Sequence, residues 1–368
     1  MAVTSYGVNA PEAVKLWSKR LAREALKKTY IGKFIGSGDD ALIQEKKDTK
    51  KSEGDRITNT LRMQLTGAGI VGDGTLEGNE ESLTTYTDNL LIDQLRHAVR
   101  SGGKMSEQRI PFSIREEART GLTDWWAGRM DRAFFTQICG YTGGAITERG
   151  ETYDGTDAAY TGQNAAIAPE STAHYRADDS AGLTAAASDE DLVSADTMSL
   201  TYIDDLVAEA ETRSPVIRPI MIDGEKCYVM FLDTLQARDL RTNVSTGQWQ
   251  DIQKAAMQGG LVSKNPIFRG SLGKYNNVIL HKSPRITQGV NSSTGAAIST
   301  VRRAVLCGAQ AGTIAFGKGH SFNKMNWHEE TFDFGNQLGV ASGCIFGIKK
   351  NVWNSLDFST LVLSTYAA

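Results

Sequence analysis

Residues 55–100 read as a single long β-hairpin with almost nothing of its own to fold around. Ile57, Asn59, Leu61, Met63 and Leu65 share one parity and are mostly apolar, which predicts an extended strand. The return, from Leu83 through Thr85, Thr87 and Leu91, is rich in Thr, Leu and Ile. The turn between them holds Gly67, Gly69, Gly72, Gly74 and Gly78, with Leu76 in its midst. An isolated two-stranded ribbon is marginal in water at best. Such a hairpin must lie on another surface, and the most economical one is a neighbouring copy of the same chain.

The flanking segments fit that picture. Pro11 to about Lys28 predicts a helix with Val14, Trp17, Leu21 and Ala25 on one stripe, crowded by Lys15, Lys19, Arg20, Arg23, Lys27 and Lys28. With Lys46, Lys47, Lys50 and Lys51 it makes residues 1–54 an extended basic arm, too poor in core residues to fold alone. Residues 113–139 give the clearest helix, opened by Ser113 and Glu116 at capping-box spacing after Pro111. Its apolar stripe is Ile114, Ala118, Leu122, Trp125, Met130, Ala133 and Ile138; Arg115, Arg119, Arg129 and Arg132 load its polar side. At 1.5 Å per residue it is a rod of roughly 40 Å. Gly121 and Gly128, on one stripe of it, predict a close backbone approach or a bend.

Residues 143–199 carry eleven carboxylates against only Arg149 and Arg176, which predicts a solvated, partly irregular excursion. Residues 200–300 mix helices (about 200–212, 234–241 and 248–258) with strands (about 215–222, 226–232 and 278–281). Residues 301–368 are strand-rich, with VRRAVLC, GVASGCIFGI and DFSTLVLSTY as the strand segments. The fold class expected is α+β.

Composition narrows the function. At 368 residues the chain is long enough for two compact units of roughly 150 residues each. With 40% hydrophobic and 23% charged residues it is neither disordered nor collagenous nor a membrane bundle. No run of about 18 apolar residues occurs, and the first residues lack a secretory pattern, so no membrane partner is expected. Cys139, Cys227, Cys307 and Cys344 are widely spaced, which suits unpaired thiols in a reducing compartment rather than a zinc site.

Two glycine motifs come close to nucleotide sites and fall short. Gly67-Ala-Gly69-Ile-Val-Gly72 matches G-x-G-x-x-G but runs into Asp73, Gly74, Gly78 and Asn79, which will not open a helix under a pyrophosphate. Gly312 to Gly319 nearly matches a phosphate-binding loop, but Gly319 stands where the magnesium-ligating hydroxyl belongs. The five histidines are dispersed, and His328-Glu329-Glu330 lacks the second histidine of a zincin. No catalytic residue, cofactor or metal ligand is expected, and the chain does not read as an enzyme.

The order of parts and several long stretches carry a family resemblance. The stretches are LRMQLTGAGIVGDGTLEGNEESL, IDQLRHAVRSGG, IPFSIREEARTGLTDWW, FLDTLQARDLR, NPIFRGSLGKYNNVILHKSPRI and FDFGNQLGVASGCIFGIKK. The chain resembles a major capsid protein of tailed double-stranded-DNA phages, in the large family typified by short-tailed schitovirus-type phages. The resemblance covers about residues 1–142 and 200–368 and is weakest over 143–199. It implies the shell fold of tailed phages and herpesviruses: an N-terminal arm (1–54), an extended E-loop (55–100), a peripheral domain with a spine helix (101–142), an acidic insertion (143–199), a mainly axial domain (200–300) and C-terminal strands shared between the two domains (301–368). It also implies self-assembly into hexamers and pentamers of an icosahedral head, put together in the host cytoplasm around double-stranded DNA. Portal and scaffolding proteins are the expected partners, with a decoration protein as a further candidate. Since only about 50 residues precede the hairpin, scaffolding is expected from a separate protein. A cellular nanocompartment shell, which shares the fold and packages enzymes, is the alternative. Some relatives cross-link through an E-loop lysine; none occurs here from Met63 through Gly103, so a non-covalent contact is expected.

The net charge of −3 seems to argue against a nucleic-acid partner. Residues 143–199 alone carry −9, which leaves +6 on the remaining 311. The arm and spine helix are therefore expected to turn positive charge toward packaged DNA, with the acidic segment facing outward or lining a seam.

Overall fold

The computed structural model describes residues 21, 24, 25, 28–47, 54–62, 65–185, 188–222, 224–242, 271–321 and 324–368. As expected, the class is α+β. A nine-stranded sheet runs Ser271–Tyr275, Val278–Lys282, Glu225–Leu232, Ala297–Cys307, Thr360–Tyr366, His174–Asp178 and Gly182–Ala185, with Ile220–Ile222 and Gln288–Val290 pairing off this path. Along Glu225–Leu232, Cys227, Val229 and Phe231 enter one core, while Tyr228, Met230 and Leu232 enter a second on the opposite face. Burial on both faces is why this strand, like Ala304–Cys307 and Leu361–Leu363, is an unbroken apolar run rather than an alternation. Helix Leu200–Thr212 covers the second core with Tyr202, Ile203, Leu206 and Ala210.

The six-stranded sheet is organised by one long strand, Gln337–Lys350. Gly312–Phe316 pairs with its C-terminal part and Asn326–Phe332 with its N-terminal part. Asp93–Arg100 occupies its opposite edge. Ile43–Lys46 and Ile35–Gly36 extend the sheet beyond Gly312–Phe316. Across it lies the spine helix Ile114–Ile138, 25 residues or about 38 Å. Trp126, Phe134, Phe135 and Ile138 of this helix share the first core with Ile314, Phe316 and Val340, and with Phe231 and Val305 of the larger sheet. Removing any one of those buried rings would cost about 3–5 kcal/mol.

Several expectations change. The hairpin does not run to residue 100: its strands are Arg56–Arg62 and Thr85–Leu91, and the chain then changes partner to Gln337–Lys350. Residues 31–46 are not a coreless arm, because Ile31, Phe34, Leu42 and Ile43 are buried in the main core and Ile43–Lys46 is a strand of the six-stranded sheet. Leu21 and Ala25 reach the same core; residues 1–20, 22, 23, 26 and 27 and the helix expected at 248–258 lie outside the described residues. Trp126, not Trp125, is the core tryptophan, and Trp125 stacks on His97 at 4.4 Å. Ser113 is the N-cap, but its side chain makes no cap; its carbonyl takes the Glu116 and Glu117 N–H groups instead. At Gly128 the close neighbours are the side chains of Glu151 and Arg285, not another backbone, and Gly121 faces open space.

The largest change concerns residues 143–199. They supply two strands of the nine-stranded sheet, with His174–Asp178 parallel to Thr360–Tyr366. Tyr153, Ala173, Ala177, Asp189 and Met198 are buried. The segment is a folded part of the body, and Glu148, Glu151, Glu170 and Asp189 are partners for arginines elsewhere.

Candidate assembly surface

The hairpin is seated firmly at its base. Ile57 and Leu90 pack on Ala315 and Ile92. Asn164 treats Leu91 as a second strand would: its Oδ1 accepts from the Leu91 N–H at 3.0 Å and its Nδ2 donates to the Leu91 carbonyl at 2.7 Å. Lys349 Nζ bonds Asp88 and donates to the Asn89 carbonyl at 3.0 Å. Tyr86 packs on Trp353 with ring centroids 4.9 Å apart. The Leu91 carbonyl also presses on Gly347, where an added Cβ would stand 2.1 Å from it. Gly347→Ala is expected to lower stability by about 1–3 kcal/mol, since the backbone must move to make room. A denaturant midpoint shift worth less than about 0.5 kcal/mol would show that the base is not seated there.

Beyond the seven strand pairs, the tip has no core. Val71 is 91% exposed and Leu76 62%, and Leu65, Ile70 and Leu83 are exposed as well. Gly69 and Gly72 turn through positive φ, at 72° and 67°, which side chains rarely tolerate. Glu81 braces the two sides of the tip: its carboxylate accepts from the Thr66 N–H at 2.8 Å and the Gly67 N–H at 2.7 Å. Those backbone N–H groups hold its carboxyl below the usual range. Of the residues expected on this surface, Leu65, Gly67, Gly69, Gly72, Gly74, Leu76 and Leu83 lie on the exposed tip. Leu61 pairs with Tyr86 in the strands, and Met63 lies outside the described residues. Neither glycine motif forms a phosphate cradle. Gly67–Gly72 leads into irregular chain with two turns and no helix, and Gly312–Phe316 is a fully buried strand.

The spine arginines do not make a free basic face. Arg115 Nε is 2.7 Å from Glu329, and Arg119 is 3.7 Å from Glu24. Arg129 bonds the Ala159 carbonyl and stands 4.4 Å over the Tyr160 ring. Arg132 is buried, with Nε 3.0 Å from Glu151 and its guanidinium over Tyr153. Lys28 pairs with Asp124. Lys15, Lys19, Arg20, Arg23 and Lys27 lie outside the described residues.

What sequence reading missed is a buried ionic lattice that ties the acidic segment to the nine-stranded sheet and the spine helix. Arg285 bonds Glu151 and Asp131, and Asp131 also accepts from the Tyr30 and Ile31 N–H groups at 2.9 and 3.0 Å. Burial outweighs these donors and raises the Asp131 carboxyl to about 6. Arg149 bonds Asp233, Arg302 pairs with Glu148, and Arg303 pairs with Asp189 at 2.7 Å. A hint was available in VRRAVLC: two adjacent arginines in an apolar strand leave at least one to be buried, and a buried cation needs a carboxylate.

His174, Asp189 and Ser364 meet inside this lattice without forming a hydrolytic triad. His174 Nε2 lies 2.9 Å from Ser364 Oγ and 3.1 Å from Asp189 Oδ1, so both partners share one ring nitrogen. A working triad places the carboxylate on the other nitrogen.

Comparison with known proteins agrees with the architecture. A family model described as phage capsid protein matches residues 5–368. The major capsid protein of Pseudomonas phage KPP25 is 29% identical over 366 residues, covering 96% of this chain and 93% of that one. The capsid of Ralstonia phage GP4 superposes with a TM-score of 0.80 at 33% identity, covering 100% of this chain and 99% of that one. The capsid asymmetric unit of cyanophage Pam1, at 21% identity, shares the fold, with a TM-score of 0.70 over 93% of each chain. These relatives are phage capsids and lend no support to a nanocompartment. The fold is the tailed-phage shell fold that the sequence resemblance implied. By a family match over nearly its whole length, this chain belongs to the phage capsid protein family, as a major capsid protein that builds a shell rather than catalysing a reaction.

Proposed function

We propose that the chain forms the hexamers and pentamers of an icosahedral head, and that each subunit lays its hairpin tip on a neighbouring copy. The observation that carries this reading is a tip anchored hard at its base yet bare of any core, with Val71 and Leu76 in solvent. Weak contacts repeated around a closed shell are enough for stability, because each added contact is effectively intramolecular. The head encloses double-stranded DNA non-specifically, assembles in the host cytoplasm, and takes portal and scaffolding proteins as partners, with a decoration protein as a further candidate. The inward positive charge falls to Lys15, Lys19, Arg20, Arg23 and Lys27 of the arm, because Lys28 is already paired with Asp124. The spine arginines are excluded from that role by the carboxylates and ring faces that already hold them.

Limited proteolysis tests the hairpin contact. The tip has no lysine or arginine but offers Glu77, Glu80 and Glu81 to a glutamyl protease. Cleavage there is expected in free subunits and at least ~10-fold slower in assembled particles, since exposed loop tips are the preferred sites of nicking. Equal rates in the two forms would refute an inter-subunit role for the tip.

A further inference from the structure

Among the described residues one lysine is buried: Lys350, 1% exposed, at the end of the strand Gln337–Lys350. Its Nζ lies 2.6 Å from Oδ1 of Asp357, which is itself 2% exposed. The register sets this contact. Val352 stands opposite Asp357, and the Phe358 N–H donates to the Asn351 carbonyl, so Lys350 is the diagonal neighbour of Asp357 on the same face. The residues between them carry the chain from the six-stranded sheet to Thr360–Tyr366 of the nine-stranded sheet.

The pair is poorly placed to remain ionic. The contact is short, yet Nζ makes no aligned hydrogen bond. Removing two charges from water is repaid only by good geometry and further hydrogen bonds. Burial lowers the pKa of the Lys350 ammonium, and the Arg303 charge adds to this against the pull of Asp357. Such a site favours the neutral amine and the neutral carboxylic acid. A desolvated lysine amine is a nucleophile, and the carboxyl carbon of Asp357 is the electrophile beside it. The Glu170 N–H donates to Asp357 Oδ2 at 3.2 Å, where it would stabilise charge developing on that oxygen.

We propose that Lys350 and Asp357 condense to an intramolecular amide, a modification site that clamps the crossing between the two sheets. The ammonium passes one proton to Oδ1, and the freed lone pair forms the Nζ–Cγ bond. A second proton passes from Nζ to Oδ1 as the Cγ–Oδ1 bond breaks, and water leaves. The third proton stays on the amide nitrogen, and Oδ2 stays as the amide oxygen under the Glu170 N–H. The opposite charges cancel, nothing is oxidised or reduced, and no co-reactant is consumed. The fold supplies the proximity that this condensation lacks in water. The product replaces two buried charges by one neutral group.

Peptide mass measurement on the folded, full-length chain is the test. A glutamyl protease cutting after Glu330 releases residues 331–368, which hold both partners and no further glutamate. They also contain no Asp-Gly step, the sequence most prone to losing water by another route. In most molecules this peptide is expected to weigh about 18 Da less than its sequence, the mass of one water. Fragmentation should yield no separable backbone break between Lys350 and Asp357, because the new bond holds both sides together. The peptide at full mass in most molecules would overturn the proposal. So would a light peptide that breaks freely within 351–356, since its water was then lost elsewhere.

Discussion

A subunit in which residues 66–81 are replaced by an Asn-Gly turn, which keeps the strand register by closing Leu65 against Ser82, is expected to fold normally and to fail at assembly. The deleted residues bury nothing in their own chain, and their main brace, Glu81 to Thr66 and Gly67, is local to the tip. Everything that seats the hairpin remains: Ile57 and Leu90 on Ala315, Asn164 on Leu91, and Lys349 on Asp88. An Asn-Gly turn suits the twist of a two-residue hairpin connection. Folding stability should stay within about 0.5 kcal/mol of the parent. Assembly loses Ile70, Val71 and Leu76, each worth about 1.5–3 kcal/mol if fully buried on a neighbour. Realising even half of that amounts to about 3 kcal/mol per contact, or roughly 100-fold in affinity. Sedimentation should show subunits or small oligomers, and electron microscopy no closed shells, at concentrations where the parent assembles. Closed shells at the parental concentration would show that the tip is dispensable.

How much of this could be read in advance depended on the range of the interactions. Strands 225–232, 301–307 and 360–366 were legible because burial on both faces writes an apolar run into the sequence itself. The spine helix was legible from its stripe, although a stripe two residues wide could not decide between Trp125 and Trp126. The end of the hairpin was not legible. Strand character continues from Thr85 to Arg100 with a break only at Ile92, and nothing local says that the partner changes there. The acidic segment failed for the same reason on a larger scale. Its composition is that of a solvated loop, but Glu148 meets Arg302 across 154 positions and Asp189 meets Arg303 across 114. Local composition counts charges; it cannot show that a carboxylate has a buried arginine waiting in another part of the chain. The spine arginines were misassigned by the same blindness, since Arg132 looks like any polar-face residue until Glu151 folds over it.

Breaking that lattice at its most enclosed point should produce the largest loss of stability. Asp189 is 1% exposed and accepts from Arg303 Nε at 2.8 Å and the Val290 N–H at 2.9 Å, with His174 Nε2 at 3.1 Å. Burial alone would raise its carboxyl; the His174 hydrogen bond and the Arg303 charge override that and hold it well below the ordinary carboxylate range. Asp189→Asn keeps the shape and removes the charge, so the Arg303 guanidinium is left buried with only the Gly140 and Cys139 carbonyls. Removing one partner of a buried pair costs about 3–5 kcal/mol. Arg303→Met alone should cost a similar amount, because it strands the carboxylate. The double variant should lose less than the two singles together, as an apolar pair replaces an ionic one. The pH dependence has a definite sign. A carboxyl whose folded pKa is depressed contributes fully above its unfolded value of about 3.9 and loses that contribution as pH falls below it. Parent and Asp189→Asn should therefore differ by a constant amount from neutrality down to about pH 4, and draw together progressively below it as pH falls toward the depressed folded value. Urea titrations of unassembled subunits at pH 7 and pH 3.5 would measure this. A neutral-pH difference under about 1 kcal/mol would mean that the acidic segment is not held to the sheet through Asp189.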